Sequence, residues 1–468
     1  MRLDKVSVLC LVAALLNPAA SAPAPSSGGL RGSENLLGYD SNNKVPQPPT
    51  VIPSDEFELA PGQSQDADLG VPIDLTNVKN PQPIRGGKTG PTDPGPRTYV
   101  YDRLNSDMYA PPGTDAGDFT NAKWPFALSH NRHGLAGAGW ARQQNTDQLP
   151  VATAMAGVNM RLSSNAYREL HWHKAGEWSL MLNGSVRIQA VNENGETFID
   201  DLTLGDVWFF PAGIPHSIQA FDDGCEFLLV FDQSDFSEDE TFLVSELFER
   251  NPQSVVAKNF KTSVQDFKNL PDGQLWIFPG TPAPKNISAQ NVTGPAGAIS
   301  QAGSYSYHFS EQQPYEVDGG SIKILDPATF PIAKGFSVAL ITIKPGAMRE
   351  MHWHTSSDEW SYFLAGSARL TVYQAPASSR TFDFSAGDVG YVPFPNAHYI
   401  ENTGSNDVVL LEVLQADAFS DISVGQWLGL TSGQIVKDHL NVPEGFISKL
   451  SKVKQYIVQG STNLTDVQ

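Results

Sequence analysis

The 468-residue chain has little cysteine, no cluster of basic residues and no apolar run long enough to span a membrane. Of its two cysteines, Cys10 lies in an N-terminal apolar segment that is expected to be cleaved as a signal peptide. Cys225 would then be the last cysteine of the mature chain and could not form an internal disulfide. The apolar surroundings of Cys225 predict a buried thiol without a catalytic role. The formal net charge of −20 disfavours nucleic acids and anionic membranes as partners, because phosphate binding needs clustered Lys and Arg.

The first residues have the features of a secretory signal peptide. Arg2 and Lys5 precede the apolar run from Val6 to Leu16, and small residues follow up to Ala22. This run is shorter than the roughly 20 apolar residues of a membrane-spanning helix. We therefore predict a signal peptide at residues 1–22 and a secreted protein. Four Asn-x-Ser/Thr sequons fit export and predict a glycoprotein: Asn183, Asn286, Asn291 and Asn463.

Composition divides the rest of the chain into an arm and two halves. Residues 23–97 are rich in Pro, Gly, Ser and Asn, which predicts an extended arm that is either disordered or wrapped around the globular body or a neighbouring subunit. The remainder is predicted to contain one domain at 98–280, a Pro- and Gly-rich linker at 281–303, and a second domain with C-terminal helices at 304–468.

Two segments of the sequence repeat at an offset of about 182 residues. The first copy contains HWHKAGEWSLMLNG and GDVWFFPAGIPHS, and the second contains MHWHTSSDEWSYFLAG and GDVGYVPFPNAHY. In both copies 39 positions separate the glutamate of the first segment from the last histidine of the second. Unrelated loops would rarely share this spacing, so the pattern indicates duplication of one domain.

Short apolar runs separated by Gly, Pro, Asn and Asp turns fill both repeats. This pattern predicts an all-β fold with two jelly-roll β-barrels in tandem and short flanking helices. Expected strands include residues 185–191, 206–210, 225–231, 368–373 and 408–414. Helical periodicity predicts short helices at 242–248, 263–268 and 424–428.

The repeated histidines and glutamates are candidate metal ligands. Side chains alternate along a strand, so the two histidines of each His-Trp-His point the same way. The glutamate follows at an even spacing in the first copy but has one extra residue before it in the second, which predicts a looser turn. A histidine from another strand completes each set. The predicted sets are His171, His173, Glu177 and His216, and His352, His354, Glu359 and His398.

Three imidazoles and one carboxylate suit manganese, iron, nickel, copper or zinc, and affinity alone favours copper or zinc over manganese. The alternative is that these histidines are packed or exposed without a ligand. Six of the ten histidines fall in the repeated pattern, which opposes that alternative. The other four are assigned no role: His130, His133, His308 and His439.

These segments resemble the two motifs of the cupin family. The first motif is complete from Gly346 to Gly366, whereas Asn165 replaces its leading glycine in the first copy. In the second motif, Ala220 replaces an asparagine in the first copy and Pro395 replaces a glycine in the second. None of these departures affects a candidate ligand.

Within the cupins, the chain resembles the secreted bicupin oxalate decarboxylases of fungi. The similarity is carried by Arg-Glu-Leu-His-Trp-His, Arg-Glu-Met-His-Trp-His, AGVNMRL and FSEDETF, and it covers most of the chain from Trp124 to Leu440. The resemblance implies manganese in both domains, oxalate as a small-molecule substrate, formate and carbon dioxide as products, and dioxygen as a cofactor that is not consumed. It also suggests a homo-oligomer, namely a hexamer built from trimers.

Two arginines are candidate substrate-binding groups. Arg168 and Arg349 each lie three residues before the first histidine of their copy, where a guanidinium could bind a carboxylate. Such a group would supply the local positive charge that an acidic protein needs to bind an oxalate anion. The alternative is an arginine on the outside of the barrel, but its repetition at the same place favours a functional role.

Two glutamates are candidate proton donors. Glu238 aligns with the lid glutamate of the decarboxylase family, where a general acid would protonate carbon and release formate. Alternatively, the acids around it favour a helix start, and Ser237 and Glu240 form a capping box there. Glu412 matches a glutamate that the family offers as an alternative donor, or it merely lines the pocket.

Three other functions remain open from the sequence alone. An oxalate oxidase on the same fold would lack an effective lid acid and release hydrogen peroxide. A bicupin storage or binding protein would not need two intact metal sets. A cupin oxygenase for an aromatic substrate would need a larger pocket.

Overall fold

The structure is a computed structural model that describes residues 113–460. The predicted signal peptide, the arm at 23–97 and the sequon at Asn463 lie outside the described residues. Antiparallel strands are the main regular structure of the described chain, and short helices accompany them. The predicted all-β fold with two tandem barrels and short flanking helices is confirmed. The domain boundaries stay a prediction.

The first half contains eleven strands and two α-helices within the described residues. The strands are β1 (Lys123–Pro125), β2 (Arg132–His133), β3 (Gly139–Gln144), β4 (Ala156–Leu162), β5 (Tyr167–Trp172), β6 (Glu177–Val191), β7 (Thr197–Thr203), β8 (Val207–Phe210), β9 (His216–Phe231), β10 (Phe242–Leu243) and β11 (Ile277–Phe278). The helices are α1 (Val244–Glu249) and α2 (Gln253–Phe260).

The second half contains thirteen strands and three α-helices within the same range. The strands are β12 (Ser306–Tyr307), β13 (Tyr315–Val317), β14 (Gly320–Leu325), β15 (Ser337–Ile343), β16 (Ala347–His354), β17 (Glu359–Ala365), β18 (Ser367–Gln374), β19 (Ser378–Ser385), β20 (Asp388–Val392), β21 (Ala397–Asn402), β22 (Val408–Leu414), β23 (Asp421–Ser423) and β24 (Ile457–Gln459). The helices are α3 (Val424–Gly429), α4 (Gly433–Leu440) and α5 (Glu444–Ile447).

The first barrel is one 11-stranded sheet, and the second barrel is formed by a 7-stranded and a 6-stranded sheet. In the first barrel the central order is β12-β8-β6-β9-β4-β3-β2, and β5 pairs with β9, β10 and β11. In the second barrel β16 has the place of β5, since it pairs with β21, β23 and β24. The strands that carry the His-Trp-His segments therefore have equivalent neighbours.

The two halves exchange edge strands. From the first half, β1 pairs with β20 of the second barrel, and from the second half, β12 pairs with β8 of the first. An ion pair accompanies each exchange. Lys123 lies 3.3 Å from Asp388, and Nδ1 of His308, to which the sequence assigned no role, lies 3.2 Å from Oδ2 of Asp206. Asp206 and Asp388 occupy the same place in the two Gly-Asp-Val segments, so the two exchanges are equivalent.

Apolar side chains form one core inside each barrel and a third core between the barrels. The third core contains Trp178 and Phe209 from the first half and Trp360 from the second. A Cβ atom on Gly157 would lie 2.3 Å from the ring of Trp360, so this contact between the halves requires glycine. Burial of large aromatic rings on both sides holds the two barrels together.

The predicted helices differ from the structure at one place. The segment predicted as a helix at 242–248 begins as β10, because Phe242 and Leu243 pair with Trp172 and His171 of β5, and α1 starts at Val244. The region at 263–268 is a 3-10 helix at Val264–Phe267, and α3 matches the helix predicted at 424–428. Cys225 is buried in β9, as predicted. No helix between residues 113 and 460 combines the length and the hydropathy that crossing a membrane requires.

Candidate metal centres and lid acid

The first candidate centre lies where β5, β6 and β9 meet in the first barrel. His171 is on β5, His173 follows that strand, Glu177 opens β6 and His216 opens β9. His171 lies opposite His216 in the antiparallel register. All four side chains are buried, and their ligand atoms lie within 4.8 Å of one another. The structure thus brings together the four residues predicted for the first site.

Backbone carbonyls orient the imidazoles of this centre. Nδ1 of His171 lies 2.6 Å from the carbonyl oxygen of Glu169, and Nδ1 of His216 and of His173 have carbonyl partners at 2.8 and 2.9 Å. Because a carbonyl oxygen accepts and cannot donate, each Nδ1 carries the hydrogen. Each Nε2 therefore faces the centre as a possible metal ligand, and Nε2 of His173 lies 3.0 Å from Oε2 of Glu177.

The second candidate centre repeats this arrangement in the second barrel. His352 and His354 are on β16, Glu359 opens β17, and His398 on β21 lies opposite His352. All four are buried, with ligand atoms within 4.8 Å of one another. Oε2 of Glu359 lies 2.8 Å from Nε2 of His354 and 3.0 Å from Nε2 of His398. The second predicted set is also brought together.

The longer turn before the second glutamate changes one hydrogen bond. In the first copy, His173 donates to the carbonyl of Ala175, which lies inside the turn. In the second copy, Nδ1 of His354 donates to the carbonyl of Ser420 at 3.0 Å, outside the turn. Glu359 nevertheless opens its strand as Glu177 does. The extra residue is therefore absorbed by the turn without moving the carboxylate out of the centre.

Both clusters have the charge and the lone pairs that a divalent metal ion needs. Burial, with the nearby arginine, holds the pKa of His171 and of His352 well below the usual value, so these imidazoles are neutral. Burial alone would raise the pKa of Glu177 and Glu359, but contacts with the histidines lower it, so both are carboxylates. Nε2 of His216 and of His352 is buried without a hydrogen-bond partner among the described residues. A buried lone pair is costly unless something binds it, and this donor set fits a metal ion.

A buried arginine joins the first centre to the predicted lid acid. Arg168 is on β5, three residues before His171, and is 1% exposed. Its Nη2 lies 3.1 Å from Oε2 of Glu238, and its Nη1 donates to the carbonyl oxygen of Trp276 at 3.3 Å. Burial lowers the pKa of Arg168 more than the charges of Glu238 and Glu177 raise it. The two residues predicted for catalysis in the first half are thus in contact.

Glu238 lies in a one-turn 3-10 helix, Glu238–Glu240, that begins after Ser237. The hydroxyl of Ser237 accepts from the backbone N–H of Asp239 at 3.3 Å, whereas the side chain of Glu240 pairs with Lys174 at 3.2 Å. The predicted capping box between Ser237 and Glu240 is therefore wrong. The single 3-10 turn closes one residue earlier than a box requires, and the Glu240 carboxylate turns outward.

The matching arginine of the second half has more negative charge around it. Nη2 of Arg349 lies 2.6 Å from Oδ2 of Asp421, and Nε lies 3.5 Å from Oε1 of Glu412. Lys454 also pairs with Asp421. Burial opposes the charged form, but Glu412 and Asp421 raise the pKa of Arg349. Burial and the charge of Glu359 raise the pKa of Glu412 to about 8, against the opposing charge of Arg349.

Sequence reasoning missed two residues of these sites, Asp421 and Trp276. Asp421 occupies a repeated position in the structure, because β10 and β23 pair with equivalent strands and Thr241 stands where the second half has Asp421, but it lies outside the repeated sequence motifs. Trp276 lies outside both motifs. Its contact with Arg168 depends on the strand pairing of β11 with β5, which no local pattern indicates.

Comparison with known proteins gives a consistent result. The sequence profile of the Cupin family matches residues 127–268 and 307–440. The chain is 44% identical to oxalate decarboxylase OxdC of Bacillus subtilis over 379 residues, which cover 81% of this chain and 97% of that protein. It is 39% identical to an oxalate decarboxylase of Arthroderma benhamiae over 407 residues, which cover 81% of this chain and 94% of the relative.

Solved structures of the Bacillus subtilis enzyme have the same fold. A structure of that enzyme at pH 4.6 matches with a TM-score of 0.77 and 43% identity, over 81% of this chain and 98% of the other. A structure from work on its Mn(II) centres matches with the same TM-score and identity, over 81% of this chain and 100% of the other.

Proposed function

This chain belongs to the cupin family, as a two-domain oxalate decarboxylase, and from that premise we propose that it cleaves oxalate into formate and carbon dioxide at a manganese-dependent site. Dioxygen is proposed as a cofactor that is not consumed. The contact between Arg168 and Glu238 beside the first cluster carries this proposal. It unites an anion-binding group and a proton donor, and the reaction needs both.

The first metal is proposed to be held by His171, His173, Glu177 and His216, and the second by His352, His354, Glu359 and His398. The unpartnered Nε2 atoms and the single carboxylate in each cluster support a divalent cation. This donor set would by itself prefer copper or zinc, so the proposal of manganese rests on the relatives. When bound, the ion would supply Lewis-acid and one-electron chemistry.

We assign substrate binding in the first half to Arg168. A guanidinium can donate two parallel hydrogen bonds to a carboxylate, and burial strengthens them. The net charge of the chain is −20, so an oxalate anion depends on this local positive charge to enter. Arg168 thereby holds one carboxylate of oxalate while the other leaves.

Glu238 is the proposed general acid. Cleavage of the C–C bond of hydrogen oxalate releases carbon dioxide, and the electron pair of that bond forms a C–H bond with a proton from Glu238. Glu238 then recovers the proton that oxalate carried, so the products are formate and carbon dioxide without net oxidation. General acids of this kind contribute roughly 10²–10⁴-fold to a rate.

The second half is proposed to take a smaller part in the reaction. Arg349 is already paired with Asp421 and lies near Glu412, which leaves less positive charge for an anion than at Arg168. Glu412 is 0% exposed, and as a neutral acid it would be an alternative proton donor. We favour Glu238 because its turn also contains an exposed residue, Asp239, and so borders solvent, from which the acid can be reprotonated.

Parallel product assays test this function. Metal-quantified protein is given oxalate at mildly acidic pH with dioxygen present, and formate and hydrogen peroxide are measured together. We expect formate to dominate, and Glu238→Gln to reduce it by roughly 10²-fold or more. Glu412→Gln is the matched control and should change formate less. Dominant peroxide from the unmodified protein would identify an oxidase. The absence of both products would reject oxalate as the substrate.

We propose a homo-oligomer, with the hexamer of the resemblance as its expected size. Each half exposes apolar residues at equivalent positions around its His-Trp-His strand, so the patch of one half can cover that of the other half in a second copy. Such a head-to-tail contact closes into a ring when the rotation between copies divides a full turn evenly, as the proposed hexamer built from trimers requires. The exposed residues are Leu170, Phe242, Leu247, Val255 and Phe260 in the first half and Met351, Ile422, Trp427, Ile435 and Leu440 in the second. Light scattering after size-exclusion chromatography measures the mass, and Trp427→Glu should lower it.

Secretion is proposed from the leader at residues 1–22, and glycosylation from the sequons. Asn183, Asn286 and Asn291 are exposed, which supports access for a glycan. N-terminal sequencing of protein collected from the medium should begin close to residue 23. Retention of the leader in the cell-associated protein would contradict secretion.

A further inference from the structure

The carboxylate of Glu238 has a second partner, the indole of Trp276. Nε1 of Trp276 donates to Oε2 of Glu238 at 3.0 Å, and Arg168 donates to the same oxygen at 3.1 Å. Trp276 is 3% exposed and Glu238 is 7% exposed. Hydrogen bonds to a buried carboxylate are stronger than those between neutral groups, so both contacts hold the acid in place.

Trp276 is itself fixed on several sides. Its backbone N–H donates to Oε2 of Glu169 at 2.7 Å, and its carbonyl accepts from Arg168 at 3.3 Å. Its φ of 53° lies in the left-handed region, which an aromatic residue adopts only where the surroundings enforce it. The indole is therefore held rigidly at the position from which it reaches Glu238.

Arg132 connects the indole to the main chain of the turn at residues 237–241, which carries Glu238 and is called the lid turn below. Its guanidinium lies 4.1 Å from the centre of the Trp276 ring. Its Nη1 lies 3.1 Å from the carbonyl oxygen of Glu238 and 2.8 Å from Oδ1 of Asp239. The backbone N–H of Glu238 donates to Oε1 of Gln143 at 3.1 Å. The turn is thus held through its backbone by Arg132 and Gln143, and through its acid by Trp276 and Arg168.

We propose that Trp276 is a positioning residue that holds the lid turn in place beside Arg168 and determines which oxygen of Glu238 carries the proton. Both N–H donors converge on Oε2, so the acidic hydrogen belongs on Oε1. An indole N–H donates but does not accept, so it orients the acid without taking its proton. This inference rests on the proposed role of Glu238 as the general acid.

The second half offers a matched comparison at Tyr456. Trp276 directly precedes Ile277, which pairs with Arg168, and Tyr456 directly precedes Ile457, which pairs with Arg349. The ring of Tyr456 lies 5.7 Å from the Arg349 guanidinium, the same distance as in the first half. Between residues 113 and 460, the Tyr456 hydroxyl has no carboxylate partner, so the link to a proton donor is a feature of the first half.

Trp276→Phe tests the proposal, because it removes the N–H and keeps a ring for Arg132. We expect kcat for formate to fall about tenfold, the size of a lost hydrogen bond to a charged group, with little change in KM. The ratio of peroxide to formate should rise, since an acid that is out of place leaves the intermediate open to oxidation. Amide hydrogen exchange in residues 237–241 should become faster in both the metal-loaded and the metal-free protein.

Three further variants complete the test. Tyr456→Phe should leave the product ratio and the lid exchange unchanged. Trp276→Phe combined with Glu238→Ala should give the product ratio of Glu238→Ala alone, because Trp276 acts through Glu238. Arg132→Gln should also speed exchange in the lid turn, and it provides the measurement if Trp276→Phe does not fold.

Two results would overturn the inference, and they differ in what else they reject. If Glu238→Ala changes the products but Trp276→Phe changes neither products nor lid exchange, Trp276 has no positioning role and the proposed acid stands. If Glu238→Ala leaves the products unchanged, the acid role and the inference both fail.

Discussion

The two candidate centres have the same ligand set and different surroundings. In the first, Arg168 faces one carboxylate, Glu238, on a short turn, and burial lowers the pKa of the arginine. In the second, Arg349 is enclosed by Glu412 and Asp421, and their charges raise its pKa. The backbone positions of the two arginines are equivalent, so the difference comes from residues outside the metal-binding motifs.

This difference shows that a duplicated ligand set does not imply duplicated chemistry. The stability of the charged form of a buried arginine depends on the carboxylates that lie beside it. In the second half those carboxylates belong to the barrel and stay, whereas in the first half the carboxylate is on a turn next to exposed Asp239. The first arginine can therefore bind a substrate anion in place of Glu238 at lower cost, because Trp276 still donates to that carboxylate.

Removal of one metal ligand from each centre should give the largest difference in formate production between the two centres. We expect His216→Ala to reduce formate production by roughly 100-fold or more, and His398→Ala by less than about tenfold. Both variants should lose metal to a similar extent, as measured by elemental analysis. Equal loss of activity in the two variants would mean that the centres share the reaction.

Replacement of the arginines should have its larger effect on stability in the second half, whereas its larger effect on activity should be in the first half. Arg349→Met would leave Glu412 buried without its positive neighbour and Asp421 with Lys454 alone, and the loss of one partner of a buried ion pair costs about 3–5 kcal/mol in comparable cases. Arg168→Met should cost less, because Glu238 keeps its hydrogen bond from Trp276, yet it should abolish formate production. Urea unfolding of the metal-loaded protein measures the first effect. A larger loss of stability in Arg168→Met would contradict the proposed difference.

The ion pairs at the exchanged strands should give the smallest effect, which depends on pH. Partial burial would lower the pKa of His308, but its hydrogen bond to Asp206 and the charges of Asp206 and Asp200 raise it above the ordinary 6.5. A raised pKa stabilises the folded state below the unfolded value, and this contribution is lost as the pH rises through the folded value.

His308→Gln should therefore lower the thermal midpoint at mildly acidic pH and have no effect at alkaline pH. His308 is about half exposed, so the expected size is that of a solvent-exposed pair, about 0.2–1 kcal/mol. Lys123→Met is the control, since no histidine takes part in that pair. The same deficit for His308→Gln at every pH would rule out titration as the cause.

The ligand sets could be predicted from the sequence because their geometry is local. Alternation along a strand brings His171 and His173 to one side, and the repeated spacing identifies His216 as their partner. The fold class followed from short apolar runs and turns. The helix predicted at 242–248 was partly wrong because Phe242 pairs with β5, and pairing between distant strands overrides local periodicity.

The surroundings of the arginines could not be predicted in the same way. Asp421 reaches Arg349 through the pairing of β23 with β16, and Trp276 reaches Glu238 from a segment 38 residues further along the chain. Neither residue belongs to a motif with a fixed spacing. Their roles depend on loop paths and on burial, which a single sequence does not specify.

The exchanged edge strands make each half of the molecule depend on the other for its fold. Without the other half, the first barrel would lack β12 and the second would lack β1, so each would have an open sheet edge and would lose the ion pair of its exchanged strand. Neither half could fold as an isolated barrel without a replacement for its missing edge strand. Each barrel therefore depends on the other for a complete sheet, whatever reaction its own centre supports.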